Sequence, residues 1–407
     1  MQYRARFVLP IAAPPLRDGW VSVEGGRIRA VGHGPTASAN GVGTGAERDL
    51  GSVALLPGLV NAHTHLELSY LRDEIPPASE FVTWIRGVLS ARRTRLDAEA
   101  PAIVDAIRRG IGECVAAGTV AVGDISNTLV PFGLMAESPL AGVVFYELIR
   151  FNAPDGDAFI AKALERIRSL SPAGDVRVSL AAHAPYSVGP GVFRALRRAM
   201  DAHPSLDPCS VHLSESPAEV EFIATGGGPW RELLEQLGSW DPQWTAPGVS
   251  PVQYLEEQGF LDRRVLAVHG VQMTHGDLAR LAASGATLVT CPRSNGHTGA
   301  GAPPLEQFYA SGVHVAVGTD SLASTPDLNL FAELATMRAL APSVPASRLI
   351  QSATREGARA LGMGQEFGTL EPGRRARLLA VQVPASVDDV EEYLVSGVSP
   401  DQLTWVE

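Results

Sequence analysis

Lysine is almost missing from this chain: of 33 basic residues only Lys162 is a lysine, and 44 acidic residues leave a net charge of −11 over 407 positions. Nucleic acid is thereby a poor partner, because phosphate contacts need clustered cations and the overall field opposes them. Cysteine is scarce too. Cys114, Cys209 and Cys291 are scattered and odd in number, so they build neither a disulfide framework nor a paired zinc motif, and a reducing cytoplasm fits. No apolar run approaches the ~18 residues that span a bilayer, which excludes a helical membrane protein. The basic-then-apolar stretch from Arg4 to Leu16 lacks the unbroken core of a secretion signal, since Pro10, Pro14 and Pro15 interrupt it. Low-complexity tracts are absent. With 45% apolar and 19% charged residues, the composition is that of a folded, soluble protein acting on a small molecule. The oligomeric state is left open, and a homodimer is compatible with it.

What is present has an order. The first 50 or so residues read as short β elements (FVLPI, GWVSVEGGRIRAVG), followed by a Gly/Ala/Thr-rich stretch from 34 to 46. From Leu55 the pattern becomes short apolar runs alternating with amphipathic segments, the signature of βα units and a parallel sheet. Eight runs are legible: LLPGLV, TVAVGD, GVVFYEL, VRVSLAA, CSVHL, VLAVHG, ATLVTC and HVAVGT. Eight strands close a (β/α)8 TIM barrel, which takes about 250 residues and leaves room for a small satellite. The tail from Phe367, GTLEPGRRARLLAV, returns to β character. The expected architecture is therefore an α/β barrel over 55–363 and a discontinuous small β-sandwich domain from both chain ends, 1–54 and 364–407.

A barrel of this kind carries its active site at the C-terminal ends of its strands, so the residues that follow each run are decisive. The first run leads into AHTH. His63 and His65, two apart on an extended segment, point their imidazoles the same way, as two ligands of one metal require. The fourth run ends in His183, the fifth in His212 with Glu215 three residues on, the sixth in His269 and the eighth in Asp320. A lone histidine at a strand end is commonly a satisfied core or surface group, whereas so many metal-type residues at one end of successive strands is hard to reconcile with chance. His33, His203, His275, His297 and His314 lack that placement and read as surface or structural.

LPGLVNAHTHLE, HAPYS, HLSE, VHG, CPRSN and GTDS, in this order across nearly the whole chain, resemble the amidohydrolase superfamily, in its deaminase and chlorohydrolase branch. The resemblance implies metal ligation by His63, His65, His212 and Asp320, catalytic work by Glu215, His269 and Asp320, and substrate contact by His183. Members with two metals commonly bridge them by a carboxylated lysine ending the fourth strand; here His183 stands there, and Lys162 lies in the preceding helical segment, so a lysine-bridged pair is excluded. One ion held by three histidines and a carboxylate, with an open position for water, suits Zn2+ and would accept Fe2+ or Mn2+.

The chemistry follows from charge: a divalent cation lowers the pKa of its water towards ~7. Asp320 is placed to take the second water proton and pass it to departing ammonia, Glu215 to protonate the ring nitrogen beside the attacked carbon, and His269 to polarise the attacking group. An exocyclic amide would need no acid at Glu215, so deamination of a ring amidine is favoured. In the S-adenosylhomocysteine deaminases of this branch a glutamate after FxxW binds ribose; here, counting on from Phe81 and Trp84, Arg92 and Arg93 stand, and Glu147 replaces an arginine ending the third strand. The whole block, including TGGGPWRELLEQLGSWDP, looks closer to the bacterial aminodeoxyfutalosine deaminases of menaquinone biosynthesis, which implies an adenine nucleoside extended by a benzoate. Glu147 would then meet ribose hydroxyls, Phe81 and Trp84 an apolar wall, Asn295 of CPRSN the substrate, and Arg150, Arg92, Arg93 or Arg293 the carboxylate. A chlorohydrolase, an amide hydrolase or another deaminase, of adenosine type or acting on guanine or cytosine, shares the metal shell; a non-catalytic homologue would be expected to have lost ligands that are intact here.

Overall fold

The computed structural model describes residues 1–34, 46–95, 97–170 and 174–406, so the Gly/Ala/Thr-rich stretch lies, apart from its two ends, outside the described residues. The chain ends meet in one sheet. Its strands are β1 (Gln2–Val8), β2 (Leu16–Glu24), β3 (Arg27–His33), β4 (Glu47–Asp49) and β5 (Val53–Pro57), joined by two more from the far end of the chain. Tyr3, Ala5, Val8, Val21, Ile28 and Leu55 pack with Leu370, Leu378 and Ala380 in a core of its own.

Eight parallel strands follow: β6 (Leu59–Thr64), β7 (Thr119–Ser126), β8 (Ala141–Leu148), β9 (Val176–Ala182), β10 (Cys209–Leu213), β11 (Val265–His269), β12 (Thr287–Thr290) and β13 (His314–Val317), each hydrogen-bonded to the next. Helices on the outer face and side chains within cover both surfaces, which is why these runs are continuously apolar. The last two strands, β14 (Leu378–Gln382) and β15 (Leu403–Val406), return to the end sheet, whose order is β15-β14-β5-β1-β2-β3 with β4 on β1. The small β domain is thus one continuous, mixed seven-stranded sheet.

The crossing from one sheet to the other falls later than residue 55. The run LLPGLV is split: Leu55 to Pro57 pair with β14, and Leu59 opens the barrel. Gly58 lies at the crossing, where a Cβ would sit 2.1 Å from Val120 Cγ1, so the chain can pass only with glycine there. Closure of the barrel brings its first and last strands together at the site. Thr64 pairs with Asp320, the Asp320 N–H donates to the His63 carbonyl at 3.1 Å, and a Cβ on Gly318 would lie 2.5 Å from that same oxygen.

Two insertions build the upper face. After β6 comes a 3-10 turn, Leu66–Leu71, and the helix Phe81–Arg93; after β10 come the helices Pro217–Thr225 and Gly228–Gln236. Among the described residues no helix is long and apolar enough to cross a membrane.

Candidate active site

At the C-terminal mouth of the barrel the ligand-type atoms of His63, His65 and His212 all lie within 4.8 Å of one another. Asp320, one turn beyond β13, places Oδ1 3.4 Å from His65 Nε2 and 3.9 Å from His63 Nε2. His63 is fully buried and neither ring nitrogen has a hydrogen-bond partner. Such an orphan is costly unless something else satisfies it, and a cation held between three imidazoles and a carboxylate would take up the lone pair of one of these nitrogens. Burial, reinforced by neighbouring histidines, holds His63 well below its usual pKa and lowers His65 to about 3 and His212 to about 4, so the rings keep their lone pairs at neutral pH. His212 Nδ1 lies 2.8 Å from the His183 carbonyl oxygen, which fixes the proton there and aims Nε2 at the cluster. A second grouping, Glu147, His183 and His212, has ligand atoms equally close, but its share of His212 is the nitrogen already bonded to that carbonyl.

Two carboxyls and an imidazole face the cluster. Glu215 Oε1 lies 3.5 Å from His269 Nε2, while Asn295 Nδ2 donates to His269 Nδ1 at 2.9 Å and so leaves the ring proton on Nε2. Burial and the nearby Asp320 charge raise Glu215 well above the ordinary carboxyl range. Asp320 is raised by burial but steadied by Ser294 Oγ, which donates to Oδ2 at 2.5 Å, and by the Ser321 N–H on Oδ1 at 2.9 Å. Ser214, His269 and Asp320 all have left-handed backbones, with φ of 53°, 78° and 60°. A non-glycine residue held there costs of order ~1–3 kcal/mol, and the bonds around each one hold it in place.

Above the cluster opens a cavity of about 240 Å³. Helix Phe81–Arg93 gives it one whole face: Phe81, Trp84, Ile85, Val88, Leu89 and Arg92 recur at helical spacing. Helix Gly228–Gln236 adds Trp230, whose indole stacks on Tyr186 with centroids 3.6 Å apart. His183, Glu147 and Arg150 complete the lining named from sequence.

The amidohydrolase family model matches residues 54–398. This chain belongs to the amidohydrolase family. Among the relatives this amidohydrolase resembles is an aminodeoxyfutalosine deaminase of Deinococcus radiodurans, 35% identical over 84% of this chain and 81% of the relative. A 5-methylthioadenosine/S-adenosylhomocysteine deaminase of Moorella thermoacetica is 29% identical over 95% of this chain and 88% of that one. In structure it superposes on Helicobacter pylori aminofutalosine deaminase in complex with methylthio-coformycin, with a TM-score of 0.84, 26% identity, and coverage of 97% of this chain and 95% of the other. An adenosine deaminase of Xanthomonas campestris with bound zinc gives 0.82 and 28%, over 99% and 90% of the chains. Triazine hydrolases at about 20% identity share the fold.

Two residues of this amidohydrolase depart from the places expected of them. Asn295 is fully buried behind His269 and does not line the cavity, because the helix Pro292–Thr298 directs it at the imidazole rather than past it. Arg293 turns away from the site into a pair with Glu333 at 2.7 Å and Asp327 at 2.9 Å. Conversely, several contributors carried no local signal. Glu219 holds the backbone of Ser214 and Glu215; Ser294 holds Asp320; Asn127 bridges Arg92 Nη1 at 3.0 Å to Glu147 Oε2 at 2.7 Å. Glu67, inside the HTHLE motif, accepts from Ser126 at 2.6 Å and from the Thr128 hydroxyl at 2.8 Å, and its place two residues after His65 was the only hint.

Proposed function

We propose that this amidohydrolase is a mononuclear, metal-dependent deaminase of a 6-aminopurine nucleoside, with 6-amino-6-deoxyfutalosine as its substrate and Zn2+ as its metal. The observation that carries the reading is a pair of buried carboxyls facing one histidine cluster, Glu215 beside His269 and raised well above the ordinary carboxyl range, and Asp320 beside His63 and His65 with an O–H donor on one oxygen and an N–H donor on the other. His63, His65, His212 and Asp320 would hold the ion. When bound, a divalent ion supplies Lewis acidity and makes water acidic enough to deprotonate near neutral pH.

The remaining work falls to side chains. Glu215, whose burial favours the protonated form, donates a proton to the purine ring nitrogen next to the amino-bearing carbon. His269, with its proton on Nε2, donates to the oxygen that adds to that carbon. Asp320 accepts the proton released as the new C–O bond forms, and Ser294 and Ser321 hold its carboxylate in position for delivery to the amino nitrogen. Breakage of the C–N bond then yields ammonia and the 6-oxopurine. Phe81, Trp84 and Trp230 exclude water from the ring. Glu147 offers Oε1, buried and without a hydrogen-bond partner, to a ribose hydroxyl. The relative named for aminodeoxyfutalosine, at 35% identity, and the structural neighbour named for aminofutalosine support this substrate.

Ammonia release is the test. Purified holoenzyme should turn over 6-amino-6-deoxyfutalosine with a kcat/KM well above that for adenosine, guanine or cytosine. Turnover of guanine or cytosine with neither nucleoside deaminated would overturn the reading.

A further inference from the structure

Beside the metal pocket lies a second and larger cleft of about 960 Å³. The two share a wall: Leu89, Arg92, Asn127, Glu147, Ile149 and Leu237 line both. Ile149 and Leu237 are 50% and 42% exposed, two of only four large apolar side chains exposed among the described residues, and both stand where the cavities join. An exposed apolar sill between two cavities is the mark of a surface that a ligand covers.

The charges of the cleft run against those of the molecule. Arg92, Arg93, Arg95, Lys162 and Arg166 line it with only Glu67 and Glu147 for acids, although the chain carries a net charge of −11. Three of the five cations are occupied. Arg95 is paired with Glu74 at 2.6 and 2.7 Å, Arg92 with Asn127 and Glu67, and Arg166 donates to the Thr128 carbonyl at 2.8 Å. Arg93 and Lys162 make no ion pair among the described residues, and both are exposed at the cleft. Leu68, Ile103, Ile107 and Phe159 give the same cleft an apolar lining.

We infer that this cleft is the subsite for the far end of the substrate, an organic carboxylate on an apolar aryl arm, with the arm crossing Ile149 and Leu237 and the carboxylate bound by Arg93 and Lys162. The inference rests on the nucleoside deaminase reading and deepens it. A nucleoside whose ring lies over the histidine cluster, with ribose at Glu147, has reached the shared wall, so any extension passes into the cleft. A carboxylate suits two cations that have no ion-pair partner beside an apolar lining, and it gains charge-assisted bonds there that an uncharged extension cannot make. Of the arginines weighed from sequence, the cleft selects Arg93; Arg293 is paired elsewhere, and Arg150 lines only the metal pocket.

The experiment compares an adenine nucleoside bearing a benzoate arm at its 5′ end with the methyl ester of the same compound, in holoenzyme of wild type and of the double variant Arg93→Ala/Lys162→Ala. Wild type should favour the acid by about tenfold or more in kcat/KM, the scale of one charge-assisted contact, and the ratio should fall towards one in the double variant. Both exposed residues are remote from the core, so folding is not at risk. Equal turnover of acid and ester by wild type overturns the subsite while leaving nucleoside deamination standing. A preference that survives in the double variant also overturns it, by placing the carboxylate elsewhere. Deamination of neither compound, with adenosine also inert, removes the nucleoside reading and the subsite together.

Discussion

Glu219 accepts the main-chain N–H of Glu215 at 2.9 Å on one carboxylate oxygen and that of Ser214 at 2.8 Å on the other. One buried side chain, four residues on from Glu215 and in the first turn of the next helix, therefore clamps the left-handed turn that aims Glu215 into the pocket. A Gln in its place offers an N–H where an acceptor is needed, and leaving a buried N–H unpaired costs about 1–3 kcal/mol. Glu219→Gln should keep its metal and lose roughly tenfold in kcat with little change in KM. Burial raises Glu219 from 4.5 to about 7. The folded chain then holds a proton that the unfolded chain has released, so the wild-type carboxyl contributes less stability as pH rises through that window. The stability gap between wild type and variant should narrow from pH 4.5 to 7 in urea titrations; a widening gap would refute the assignment.

Metal content is the most direct check on the cluster. Elemental analysis should find about one divalent ion per chain, with His63→Ala or His65→Ala removing ion and activity together. A stoichiometry near two, with activity requiring both ions, contradicts the mononuclear site.

Glu215→Gln separates chemistry from architecture. The ligand set is untouched, so the ion stays, while turnover falls by at least ~100-fold as expected for loss of a general acid. Near-normal turnover with lowered stability would reduce Glu215 to a structural acid at the start of helix Pro217–Thr225.

Asn295→Ala asks whether that residue meets substrate or only His269. Because it lies behind the imidazole, kcat should drop about tenfold through loss of the fixed tautomer while KM holds nearly constant. A rise in KM with kcat unchanged would mean direct contact.

Arg293→Met tests the reassignment of that arginine. It leaves Glu333 buried without its partner at 2.7 Å, and breaking a buried pair from one side costs about 3–5 kcal/mol. The melting temperature should fall by several degrees with KM for a carboxylate-bearing substrate unaffected. A stable variant with a raised KM would restore Arg293 to the binding site.

The sequence by itself determined the barrel and which histidines and acids gather at its mouth, because both follow from short-range rules. Strand ends are visible as the ends of apolar runs, a period of two sends His63 and His65 the same way, and a barrel collects strand ends at one mouth. The end sheet was legible from its alternation, yet its border was misplaced at residue 55, since LLPGLV reads as one apolar run and only the pairing of β5 with β14 and the steric need for Gly58 divide it. Phe81 and Trp84 could be read as an apolar wall, but nothing local said which face of their helix met a cavity. Tertiary structure alone decided the partners: that Asn295 bonds His269, that Arg293 is spent on Glu333, that Glu219 reaches back to Glu215, and that Arg93 and Lys162 look onto one cleft. Each depends on where a side chain from one βα unit ends relative to a side chain of another, and spacing along the chain carries no record of that distance.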